Sequence, residues 1–67
     1  MSELLNSLKE ERERLGLTQA ALAERVGVSR KTINTVENGV FIPSTLLALK
    51  LAAALQRPVE ALFRISG

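Results

Sequence analysis

The chain contains no cysteine, histidine, aspartate, tryptophan or tyrosine. Without Cys and His there is no disulfide, no thiol nucleophile, no imidazole base and no ordinary zinc site. A Ser-His-Asp triad is excluded with them. The acids are all glutamates, at 3, 10, 11, 13, 24, 37 and 60. An enzyme would have to work with Glu, Lys, Ser and Thr, in a pocket that so short a chain can scarcely enclose. No catalysis, cofactor or metal is therefore expected. Long apolar runs are also missing, none approaching the roughly 18 residues that span a bilayer. The start, Met1-Ser2-Glu3, lacks the basic and apolar stretches of a secretory signal. The expectation is a cytoplasmic protein with no membrane partner.

What is present fits one small domain over residues 1–67, of which 46% are apolar. A chain of this length buries only roughly 60% of its unfolded surface, so a lone core is marginal. With disulfides and metals excluded, dimerisation is the remaining aid. The net charge of +2 is unevenly spread. Residues 1–24 carry three cations against five glutamates, a net of −2, and residues 25–67 carry six against two, a net of +4. An acidic first third and a basic remainder suggest one face meant for an anion.

The pattern is one of helices with very short breaks. Leu5, Leu8 and Leu15, with Arg12 among them, share a face and predict an amphipathic helix over 3–15, ended by Gly16. Thr18 caps a second helix through Val26, with Gly27 where a left-handed residue is wanted. Ser29 caps a third helix to about Asn38, stopped at Asn38-Gly39. Residues 40–43 read as extended or loop-like, since Ile42 precedes a proline. Ser44 caps a fourth helix from Thr45 to about Gln56. Pro58 suits the first turn of a short fifth helix ending near Phe63. The tail 64–67 is a short strand or frayed. Five helices joined by such loops make a compact all-α bundle.

Between Gln19 and Asn38 two helices meet across the three-residue turn Gly27-Val28-Ser29. Ala23 is small where the helices cross, and Val26, Val28, Ile33 and Val36 supply an apolar wedge between them. At 100° per residue Ile33 and Val36 face the core. Arg30, Lys31, Asn34, Thr35 and Asn38 then point the other way: two cations, two amides and a hydroxyl, with no acid. These groups contact phosphates and read base edges in a major groove. Motif and electrostatic footprint together point to double-stranded DNA as the partner.

The run TQAALAERVGVSRKTINTVENG, Thr18 to Gly39, resembles the Cro/phage-repressor (XRE) class of helix-turn-helix regulators. Pro43-Ser44, Ala48-Leu49-Lys50-Leu51-Ala52 and Pro58-Val59-Glu60-Ala61-Leu62-Phe63 extend the resemblance to the minimal stand-alone members. It implies a lambda-repressor-like bundle whose second and third helices form the motif. Gln19 resembles the family glutamine that grips a phosphate and braces the recognition helix. Arg30, Lys31 and Thr35 match positions that most often touch bases. Thr32 matches one that meets phosphate or a thymine methyl in some members, and Asn38 matches a backbone-contacting position. The expected DNA-binding set is Thr18, Gln19, Ser29, Arg30, Lys31, Thr32, Asn34, Thr35 and Asn38. Many relatives carry Lys or Arg directly after the Asn-Gly, where this chain has Val40.

Arg12 inside an apolar stripe is costly unless paired. Glu37, on the core-side edge of the third helix, is its expected partner in a largely buried ion pair. The fourth helix is apolar nearly all round, with Ala48, Leu49, Leu51, Ala52 and Leu55 as the expected core stripe and Leu46, Ala53 and Ala54 opposite. A helix with two apolar faces tends to be covered on both. A homodimer is expected to bury Phe41, Ile42, Leu46, Phe63 and Ile65. The resulting expectation is a dimeric repressor on a near-palindromic operator. The alternative is an antitoxin or other protein-interaction module, whose protein partner uses the apolar side of the fourth helix.

Overall fold

The computed structural model describes residues 3–66. The chain runs β1 (Leu4–Asn6), α1 (Leu8–Arg14), α2 (Gln19–Val26), α3 (Arg30–Glu37), α4 (Thr45–Leu55), α5 (Val59–Leu62) and β2 (Phe63–Ile65). Met1, Ser2 and the last residue of the predicted tail, Gly67, lie outside the described residues.

Three helices start where a hydroxyl offers itself to the free N–H groups of the first turn. Thr18 accepts from the Ala21 N–H at 3.0 Å, Ser29 from Thr32 at 3.1 Å and Ser44 from Leu47 at 3.1 Å. Gly27 closes α2 at φ +74°, a left-handed conformation in which any side chain would be strained. The Val28 N–H then returns to the Ala23 carbonyl at 3.0 Å, which fixes the tight turn into α3.

The first helix is shorter than expected. Residues 4–6 are extended and pair antiparallel with β2, Leu4 opposite Ile65, Leu5 opposite Arg64 and Asn6 opposite Phe63. Asn6 is the reason. Its Oδ1 accepts the Leu8 N–H at 3.1 Å, capping α1, and its Nδ2 donates to the Val36 carbonyl at 3.0 Å. Both bonds require residue 6 outside the helix. The expected bundle of five helices is present among the described residues, with one small two-stranded sheet added to it, and Arg64 and Ile65 of the tail lie in its second strand. Leu5, expected on the apolar face of the first helix, is exposed.

Leu8, Leu22, Ala23, Val26, Ile33, Val36, Leu47, Leu51, Ala52, Leu55, Leu62 and Phe63 form the core. The stripe on α4 is rotated from the expected one. Leu47, Leu51 and Leu55 repeat every four residues and are buried, whereas Leu49, half a turn from Leu47, is 55% exposed. An almost uniformly apolar helix hides its own phase. Phe63, expected at a dimer surface, is 8% exposed and belongs to the core of its own chain. β2 turns it inward, opposite Asn6. No helix among the described residues is long and apolar enough to cross a membrane.

Candidate nucleic-acid interface

The third helix is held from behind. Ile33 and Val36 are buried, and Glu37 reaches back to Arg12. Arg12 donates from Nε to Glu37 Oε2 at 2.7 Å, from Nη2 to Oε1 at 3.3 Å, and from Nη1 to the Leu17 carbonyl at 2.7 Å. Gln19 adds a fourth bond, Nε2 to Glu37 Oε1 at 3.0 Å. One carboxylate thus joins α1, the first residue of α2 and the last of α3. The pair is nearly sealed from water, and its hydrogen bonds are what make burial of two charges tolerable. The bond to Glu37 holds the Arg12 guanidinium above its ordinary value, against the opposing effect of burial.

This network has an electrostatic consequence on the other side. Glu37 is the one acid of α3, and it is turned inward, so the outward side carries no carboxylate. Arg30, Lys31 and Asn38 are exposed, and Asn34 and Thr35 are half-buried beside them. Arg30 and Lys31 enter no ion pair among the described residues, and their ammonium and guanidinium donors face water. Asn38 Nδ2 donates to Asn34 Oδ1 at 3.3 Å, which presents the two amides as a unit one turn apart. Thr18 and Ser29 stand exposed at the caps of α2 and α3, and neither first turn contains an acid. Free N–H groups and the helix dipole therefore favour an anion at both ends.

The structure places these expected DNA-contacting residues along α3 and at the cap of α2, with Thr32 half-buried against Ser29, its hydroxyl 3.0 Å from the serine's. Gln19 braces α3 through Glu37. Two features escaped sequence reasoning. Asn6 ties β1 to the end of α3, and only the Asn6-Ser7 pair, a cap signal ahead of the first helix, hinted at it. Arg14 and Arg57 both donate to Glu11 Oε1, at 2.6 and 3.1 Å, and Arg14 also to the Leu55 carbonyl at 3.0 Å. That cluster joins α1 to the end of α4, far along the chain, and no local pattern announces it.

A family model described as Helix-turn-helix (HTH_3) matches residues 8–62. An HTH-type transcriptional regulator of Methanothermobacter thermautotrophicus is 51% identical over 57 residues, covering 84% of this chain and 83% of its own. The Bacillus subtilis regulator YgzD is 45% identical over 58 residues, 87% of this chain and 88% of its own. Among solved structures, the restriction-modification controller protein C.AhdI from Aeromonas hydrophila superposes with a TM-score of 0.76 at 37% identity, over 81% of this chain and 82% of that one. Antitoxin HigA-1 of Vibrio cholerae is a more partial match, 44% identical over 48 residues and only 45% of its length.

Proposed function

The chain belongs to the helix-turn-helix regulators of the Cro/phage-repressor (XRE) class, and from that premise we propose that it is a homodimeric repressor which lays α3 in the major groove of a near-palindromic operator. One observation carries the reading: the outward side of α3 holds Arg30, Lys31, Asn34, Thr35 and Asn38 with its single acid locked inward on Arg12. Arg30 and Lys31 supply guanine-edge or phosphate contacts, and the amides supply paired donor and acceptor groups for adenine. Thr18, Gln19 and Ser29 set the register on the phosphates through the two helix N-termini.

A single recognition helix reads few base pairs. Two related by a dyad read half-sites about 34 Å apart, so the operator is a near-palindrome with that spacing. Leu46, 62% exposed on α4, with Phe41, Ile42 and Ile65, forms the surface assigned to the second copy. Residues 1–67 act as one DNA-binding unit, in the cytoplasm, without enzymatic activity.

Selection of bound duplexes from a random pool at moderate salt tests this. The expected product is one motif with two inverted half-sites, bound by a species that sediments as a dimer. Affinity should fall steeply with salt, as counterion release demands. Arg30→Ala should cost about 1–3 kcal/mol and relax one position of each half-site. A folded protein that enriches no motif rules the reading out. A partner-neutralising module, favoured by the likeness to HigA-1 and by the exposed apolar side of α4, then becomes the reading to pursue by co-purification.

A further inference from the structure

The last turn of α3 is gripped from behind at two points that differ in kind. Arg12 holds the Glu37 carboxylate, which is joined to the helix through rotatable side-chain bonds. Asn6 holds the backbone itself, donating from Nδ2 to the Val36 carbonyl at 3.0 Å. That carbonyl is one of the four left without a helical partner where α3 ends. The Val40 N–H, which would continue the helix, goes to the Thr35 carbonyl at 2.9 Å, and Gly39 and Asn6 share the Val36 oxygen.

Asn6 is fixed in its turn. Its Oδ1 accepts the Leu8 N–H at 3.1 Å, so the amide is engaged at both ends and cannot flip without losing both bonds. Its backbone lies in the ladder opposite Phe63, and the next N–H, that of Ser7, donates to the Leu62 carbonyl at 2.8 Å. Leu8, Leu62 and Phe63 are buried, which anchors the amide to the core. Between the ladder and the end of α3 runs a groove of 420 Å³, with Leu4 and Leu5 on one side and Glu37, Asn38 and Gly39 on the other. On this side the helix end leans on the amide rather than on packed side chains.

The side chains of the DNA-reading surface cluster around Val36. Thr35 precedes it, and Asn34 and Asn38 stand two residues to either side, joined through their amides. A base-edge hydrogen bond keeps its strength only over about 2.7–3.2 Å, so a recognition set has to be held to about 0.5 Å. We propose that Asn6 is a positioning residue for DNA recognition: its amide, carried on the terminal ladder, sets the pose of the C-terminal half of α3 and with it the reach of Asn34, Thr35 and Asn38. The inference rests on the DNA-binding reading above and adds to it a residue from outside the helix-turn-helix, acting through α3.

Asn6→Ser separates the two bonds of the amide. Serine caps a helix about as well as asparagine but is too short to reach Val36. At a temperature where circular dichroism shows the variant folded, its affinity for the selected operator should fall about tenfold, as for the loss of one base-pair contact. Affinity for a scrambled duplex at the same salt should stay within about twofold, because phosphate contacts tolerate a small tilt. A role in stability alone would lower the melting midpoint and leave the ratio of the two affinities unchanged. Asn6→Asp, which keeps the cap and sets an oxygen against the Val36 carbonyl, should show the same loss of ratio. Ser7→Ala is the control, since the Ser7 hydroxyl accepts from Arg64 Nη1 at 3.1 Å on the same stretch of chain, and its ratio should not move. An unchanged ratio in Asn6→Ser, an equal loss in Ser7→Ala, or failure of both Asn6 variants to fold overturns the positioning role and leaves the regulator reading standing. Failure to select any operator overturns both.

Discussion

Arg12 is a guanidinium set among leucines, and all the polar contacts it makes run to Glu37 or to the Leu17 carbonyl. Glu37→Gln keeps the shape and removes the counter-charge. It should lower stability by about 3–5 kcal/mol, the usual penalty for stranding one member of a buried pair. Thermal melting checks this, and an unchanged midpoint would mean the pair is dispensable. Gln56 poses the opposite case. It ends α4 at φ +57°, a left-handed conformation that costs a non-glycine residue roughly 1 kcal/mol. Gln56→Gly should therefore raise the urea midpoint, by the equivalent of about 1 kcal/mol. The Arg12–Glu37 partnership was readable because a cation in an apolar stripe announces a need. Gln56 was not, since nothing in the local sequence requires a left-handed residue between Leu55 and Arg57.

At the scale of elements, the caps and the motif were legible because their signals are local. Thr18, Ser29 and Ser44 each precede the helix they start, and Ile33 with Val36 sets the phase of α3 in only eight residues. The β1–β2 ladder was half legible, since its partners sit at opposite ends of the chain and Leu4-Leu5 suits helix and strand alike. The phase of α4 was lost because leucine and alanine occupy nearly every position. Between α1 and α4 the Glu11 cluster acts as an electrostatic tie. Arg14 foremost, then Arg57, holds the Glu11 carboxyl below its ordinary value of 4.5. A carboxylate depressed by folding contributes its stability above the unfolded value, and loses it as pH falls through the folded one. Glu11 should titrate below the ordinary carboxylate value when followed by carbon-detected NMR. Arg14→Ala should move it back up, and no change in that variant would dissolve the tie.

For the whole molecule, the small core and the exposed apolar side chains argue together. Leu46, Leu49, Val40, Phe41, Ile42 and Ile65 all meet water in the single chain, and a second copy would cover part of that apolar surface. Leu46→Glu should convert the expected dimer into monomer in sedimentation at micromolar concentration, and a dimer that persists would remove Leu46 from the contact. The two-stranded ladder has a different consequence. Because Leu4 lies opposite Ile65, the chain enters and leaves the fold at one point, like a loop of cord held at its knot. Sealing that point with a short peptide would make a ring. In the chain-entropy picture a ring of some 70 residues takes about 4 kcal/mol from the freedom of the unfolded polymer while leaving the folded backbone as it is. Once sealed, the chain could be cut anew in the exposed stretch at 40–42, giving a permuted protein whose recognition helix sits near its end.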